Sequence, residues 1–443
     1  MNKWSNWSGD VQCAPDRFLE PETSGEVASA VKAAAGRDGY VRVAGSGHSF
    51  SPVVASDSTL LSLQRMSGVL DSDHRTKRAT LAAGTAIRDL GEPLARRGMA
   101  LVNQGDVHPQ AIAGAIATGT HGTGWELGSL STTVTGFKLV TGTGEVIDCT
   151  PEQNSNVFEF GRVSLGGFGV MTELEMQMRE SYKLKEIKRN LPFQQTLDEA
   201  EASARAYRHW EFHWFPYSDL CATKVMDETD EPVNAEPVRH FLVDVLFENS
   251  AWFGLMELTK AVPKLNRPVA QLAAQLFSES EKVDWSYKVF PNPRFVKFNE
   301  MEYAVPAEVG PEVLLEIRHF IEREQLDVAF PIEYRYVAAD DIPLSPFYQR
   351  DSAVLSCHVY AGKEYDRYFR GVEKIFRKHG GRPHWGKINT LKADDFREIY
   401  PRYDEFQALR AELDPKGVFE SPYLRRIFGS AKGAGKSSAA AAE

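Results

Sequence analysis

The sequence predicts an α+β protein of two domains, and three observations carry that expectation. The 443 residues suffice for two units, at roughly 150 residues per domain. The first third alternates short strand-like runs with helical ones. Near residue 180 the composition shifts, and aromatic-rich strand patterns follow. The boundaries read as 1–180 for a first domain, 181–390 for a second of mixed α/β character, 391–428 for a helical segment returning to the first, and 429–443 for a disordered tail.

The elements justify this in order. "EVASAVKAAAGRDG" (26–39) is amphipathic and ends on glycine, so it predicts a helix, and "YVRVAGSG" predicts a strand entering a turn. "TLLSLQRMSGVLDSD" and "RATLAAGTAIRDLGEPLARRGMAL" continue as strand, turn, strand and helix. "TVTGFKLVTGTGEVIDCT" (133–150) predicts a hairpin, and "GGFGVMTELEMQM" (166–178) a strand with its alternation intact. Beyond the shift, "HWEFHWFPY" puts Trp210, Phe212 and Trp214 on one strand face. Helices follow around 251–275 and 308–325. "VAFPIEYRYVA" and "SAVLSCHVY" are strands, "EYDRYFRGVEKIFRKHG" is a helix closing on Gly380, and "DFREIYPRYDEFQALRAELDPKGVF" is helical.

Composition narrows the function classes. Hydrophobic residues at 42% and charged residues at 25% describe an ordinary globular chain. A net charge of −10 argues against a nucleic-acid partner, which normally calls for a basic face. Cys13, Cys149, Cys221 and Cys357 form no CxxC pair, which points to reduced thiols in a cytoplasmic setting rather than a disulfide framework or a zinc site. "MNKWSNWSGD" lacks the apolar core of a signal peptide, and no run approaches the ~20 apolar residues that span a bilayer. The tail "GSAKGAGKSSAAAAE" has a disordered composition.

Four stretches could carry chemistry. In "VRVAGSGHSFSP" (41–52), Gly45 and Gly47 permit positive φ and let amides approach an anion such as pyrophosphate, although the third glycine of GxGxxG is missing. A tight surface turn is the plainer alternative, and it leaves His48 unexplained. "NQGDVHPQAIAGAIATGTHGTG" (103–124) crowds small residues together. A backbone lying flat against a planar ligand needs that smallness, while an Ala/Gly-packed helix start would explain only its middle. In "PIEYRY" (331–336), Glu333 and Arg335 share a strand face amid apolar neighbours, which favours a cleft over an open ion pair. "RPHWGKI" (382–388) offers a titrating ring, a plane and a cation as a site wall, or else a structural loop turning on Gly386. His209, Glu211 and His213 also share a face, but no further ligand stands near them, so no metal is expected.

"GSGHSF", "GTHGTG", "LGGFGVMTEL" and "HWGK", in this order, resemble the aldonolactone and alditol oxidases of the vanillyl-alcohol-oxidase type of flavoprotein. The likeness runs from "NWSGD" near residue 6 to "FESPYL" near 424, and the segment 103–124 is similar to the sugar-1,4-lactone branch. The resemblance implies a two-subdomain FAD-binding domain of the PCMH type beneath a mixed α/β cap over the flavin. It implies that Arg42, Val43, Ala44, Gly45, Ser46, Gly47 and Ser49 wrap the pyrophosphate and that His48 is bonded to FAD. Gly114, Thr118, Gly119, Thr120 and His121 would line the flavin, with Val170 at the adenine side.

The same resemblance implies that Glu333, Arg335, Lys387 and His384 carry catalysis, and that Asp106 and His358 join Glu333, Arg335 and Lys387 around a sugar lactone or polyol. Hydride would pass from a carbinol carbon to the flavin, with Arg335 or Lys387 stabilising the developing negative charge. Gly105, lacking a methyl beside the flavin edge, implies room for dioxygen and hence hydrogen peroxide as product. An alditol oxidase, a lactone dehydrogenase using another acceptor, and an inactive binding module are the competing readings.

Overall fold

A computed structural model describes residues 3–234, 248–276, 279–292 and 296–430; the tail expected from 429 lies outside the described residues from 431 onward. The strand Thr59–Ser62 is buried throughout and pairs in parallel with Arg17–Leu19 on one side and Val41–Ala44 on the other. Ser24–Ala35 is the crossover helix that a parallel pair requires. Thr23 caps it by accepting the Glu26 N–H, so it begins two residues before the expected start, and Val27, Ala28, Val31 and Ala34 form its buried stripe.

An antiparallel sheet follows in the order Val146–Cys149, Val134–Thr141, Gly169–Gln177, Arg78–Ala82, Val69–Asp73. The expected hairpin is its first pair.

The larger element is an eight-stranded antiparallel sheet. Its order is Ser280–Trp285, Lys183–Pro192, Leu220–Glu228, His209–Trp214, Ile332–Val337, Ser352–Tyr360, Phe298–Pro306 and Arg382–Pro383. Its register sets the two faces. Phe212 opposes Tyr334, which opposes Leu355, which opposes Tyr303, and this apolar row packs under the helices Gly310–Arg323 and Asp366–Lys378. One residue out of step, His213, Glu333, Ser356 and Glu302 form a row on the opposite face, flanked by Glu211 with Arg335 and by Glu300 with His358. The period of two thus delivers one apolar and one ionic face from the same strands.

The C-terminal stretch is three helices, Ala393–Ile399, Tyr403–Leu413 and Pro422–Phe428, because Pro401 cannot continue the first. They pack back on the first sheets: the Val41 and Gly142 N–H groups donate to the Val418 and Leu413 carbonyls at 2.7 and 2.9 Å. Among the described residues no helix is long and apolar enough to cross a membrane.

Candidate active site

The loop after Val41–Ala44 and the helix Ile112–Ala117 enclose a cavity of about 1100 Å³, open mouth included. Arg42 through Ser49, Gly114, Thr118 and Val170 line it, together with Gln110, Ala111, Leu165, Gly166 and Phe419. Gly47 sits at φ +73°, where a side chain would be strained. A Cβ built on Gly114 meets nothing within 4 Å, so the space beside that glycine is open where it lines the cavity. The Arg42 guanidinium is engaged within the protein, donating to the carbonyls of Val53, Leu165, Gly166 and Phe419.

Gly105, Asp106, Gly119, Thr120 and His121 lie outside this lining. The smallness of "GTHGTG" has a cause within the protein. A Cβ on Gly122 would stand 2.6 Å from the Gln104 carbonyl, and one on Gly105 would stand 3.0 Å from the His121 carbonyl. Packing against neighbouring backbone, rather than a ligand alone, selects glycine there.

The ionic face of the large sheet meets the His48 end of the cavity. The Phe50 N–H donates to the Gly386 carbonyl at 2.7 Å, and Ser51 Oγ to that of Trp385 at 3.0 Å. These bonds place "HWGK" against the His48 loop. Lys387 Nζ donates to Glu300 Oε2 at 2.5 Å, and His358 Nε2 stands 3.7 Å from Glu300 Oε1. Arg335 Nη2 donates to Glu302 Oε2 at 2.7 Å and to Ser356 Oγ at 3.3 Å, and lies 3.4 Å from Glu333 Oε2. His121 Nε2 reaches Glu302 Oε1 at 3.1 Å, and Ser356 Oγ donates to Glu302 Oε2 at 2.5 Å.

Burial alone would make these charges costly, and mutual pairing offsets the cost. Burial opposes the charged form of Arg335, but Glu333 and Glu302 outweigh it, so its pKa is raised. Burial likewise pushes Glu302 upward, yet His121 and Lys387 hold it well below the usual carboxylate range. Asp106 acts on the cluster through its field, favouring the cations of Arg335 and Lys224. His384 is pushed down to about 3, chiefly by burial, and its Nδ1 accepts the Gly386 N–H at 3.0 Å. It is therefore a neutral imidazole whose proton sits on Nε2. Among the described residues the buried Nε–H of Arg335 has no hydrogen-bond partner, and a bound oxygen would satisfy that donor.

The sequence profile described as D-arabinono-1,4-lactone oxidase matches residues 174–427, more than half of the chain. The chain belongs to the sugar-1,4-lactone oxidase family. A profile described as FAD binding domain matches residues 15–150 of the chain. The L-gulono-1,4-lactone dehydrogenase of Mycobacterium tuberculosis strain H37Rv is 38% identical to it over 96% of this chain and 99% of that one. The L-gulonolactone oxidase of Mus musculus is 32% identical over 96% and 98%. A cholesterol oxidase from Brevibacterium sterolicum superimposes with a TM-score of 0.83 over 96% of each chain, at 17% identity, and shares the fold of this chain. The protein is thus an FAD-linked oxidoreductase of aldonolactones.

Trp385 does not form a site wall. It is fully buried between Phe396 and Tyr400, and its Nε1 donates to the Leu344 carbonyl at 2.6 Å. His209, Glu211 and His213 turn to separate partners, the Thr123 carbonyl, Lys224 and Glu333. Sequence reading passed over Glu300, Glu302 and Ser356, although "FNEMEY" carries two glutamates in strict alternation with apolar residues, a signal of charge on a buried strand face.

Proposed function

We propose that this protein oxidises a ring carbinol of a sugar-1,4-lactone of the L-gulono-1,4-lactone kind. When bound, FAD supplies the two-electron hydride acceptor for that carbon. The observation that carries the reading is the buried Arg335 guanidinium, locked by Glu302 and Glu333 with its Nε–H unpaired, beside the His48 end of a cavity that fits FAD. A neutral, hydroxyl-rich lactone suits it. Glu333 accepts substrate hydroxyls and orients Arg335, while Arg335 and Lys387 donate to oxygens on which negative charge grows. The His384 backbone carbonyl accepts the Lys387 N–H at 3.0 Å, which sets where the lysine leaves the loop. His48 carries the flavin covalently, so the cofactor stays anchored and its oxidising potential is raised.

Anaerobic stopped-flow reduction tests the substrate half. L-Gulono-1,4-lactone should bleach the flavin and xylitol should not; reduction by xylitol alone would replace this reading with an alditol oxidase. Lys387→Ala should slow reduction by about 10²–10³-fold, as for loss of one preorganised donor, and near-normal reduction would remove Lys387 from the chemistry.

The acceptor we propose is dioxygen, with hydrogen peroxide released. A second reading, a dehydrogenase passing electrons to another acceptor, is favoured by the likeness to the L-gulono-1,4-lactone dehydrogenase of Mycobacterium tuberculosis. Mixing the reduced enzyme with oxygen separates the two: re-oxidation within the turnover time supports the oxidase, and persistence of reduced flavin the dehydrogenase.

A further inference from the structure

We infer that Trp7 positions the His48 imidazole for its covalent bond to the flavin, an inference that rests on the covalent reading above. The N-terminal strands Trp4–Ser5 and Gln12–Cys13 pair with each other, and the turn between them clamps the His48 loop on both sides of the histidine. The Trp7 N–H donates to the Gly47 carbonyl at 2.7 Å, and Asn6 Nδ2 donates to the Ser49 carbonyl at 3.0 Å. With its neighbouring carbonyls tied, the His48 backbone has little freedom.

The ring is held as well. The Trp7 indole stacks on the His48 imidazole, centroids 5.7 Å apart and planes 28° apart. Trp7 is itself wedged edge-on against Phe298 at 5.1 Å and Phe50 at 6.3 Å. Phe298 in turn meets the His358 ring at 4.9 Å, and Asn299 beside it donates to Asp10 Oδ2 at 2.5 Å. The cap strand that carries Glu300 and Glu302 thereby braces the tryptophan, and the tryptophan sets the plane of the histidine.

Attachment needs that plane. A ring nitrogen of His48 forms a bond to the flavin 8α-carbon while the N–H bond and one C–H bond of that methyl break. The two protons and two electrons released are taken up by dioxygen as hydrogen peroxide. Such a step proceeds only while the nitrogen points along the line of the new bond, and stacking removes the rotamers in which it does not. Trp7 touches no reacting atom in this account; it is a positioning residue.

The test uses full-length protein prepared flavin-poor, mixed aerobically with FAD, and acid-precipitated at intervals to count the flavin retained in the pellet. Trp7→Ala and Trp7→Leu should slow attachment about tenfold, the weight of one aromatic pair, while Trp7→Phe stays near the wild type. The affinity for FAD before attachment, read by fluorescence quenching, should change less than twofold, which a merely structural defect would not spare. Attachment at the wild-type rate in both W7A and W7L would overturn the inference, as would an equal loss in W7F. If W7A does not fold, W7F against W7L decides. A colourless wild-type pellet, or a yellow one from His48→Ala, would instead overturn the His48 reading and this inference with it.

Discussion

Arg335→Ala is expected to lower kcat/KM for L-gulono-1,4-lactone by about 10²–10³-fold and to cost about 3–5 kcal/mol of folding stability. Both effects come from one arrangement. The guanidinium lies between Glu302 and Glu333, all three nearly excluded from water. Removing it leaves two buried carboxylates short of a cation and takes away the Nε–H offered to substrate. Arg335→Lys restores charge but not the planar fork, so it should recover most of the stability and little of the rate. Steady-state kinetics and urea midpoints on the same preparations separate the two losses. Wild-type kinetics in a destabilised Arg335→Ala protein would reduce the arginine to a scaffold role.

Acidification from pH 6.5 to 4 is expected to remove on the order of 4 kcal/mol of stability. Burial holds His384 down to about 3 and His209 down to about 4, against an ordinary 6.5. The folded state therefore binds fewer protons than the unfolded chain in this window. Their contribution is fully present above 6.5 and is lost as the pH falls. Asp340 opposes them: burial raises it to about 6 from 3.8, so its contribution returns on acidification over that range. The two histidines outweigh one aspartate at about 1.4 kcal/mol per pH unit each. Below 4.5, protonation of Glu302, held low by His121 and Lys387, adds to the loss. Urea midpoints at pH 7, 5.5 and 4.5 measure the slope, and His384→Gln should flatten it. A profile independent of pH would contradict the buried neutral histidines.

Several parts of this site were legible in the sequence because their signal is local. The Gly–Ser–Gly–His loop after an apolar strand identified the cavity wall from Arg42 to Ser49. Alternation put Glu333 beside Arg335 on one face, and both are there. In 103–124 small residues signal close approach but not of what: at Gly105 and Gly122 the approaching group is the protein's own backbone, while Gly114 lines the cavity. For Trp385 the sequence leaves a site wall and a structural loop both open, since a tryptophan between a histidine and a lysine gives no sign of which way its ring turns, and the ring stacks on Phe396 and Tyr400.

The sequence by itself determined the strand period, the two glycine loops, the identity of the charged groups and the family. Only the tertiary structure decided which charge meets which. Glu302 binds Arg335, Ser356 and His121, and Glu300 binds Lys387, across separations of up to 181 residues. A residue's face follows from its own neighbours along the strand. Its partner follows from the register between strands and from how the loops of one domain meet the sheet of the other. A buried charge is tolerated only where that register supplies its counter-charge.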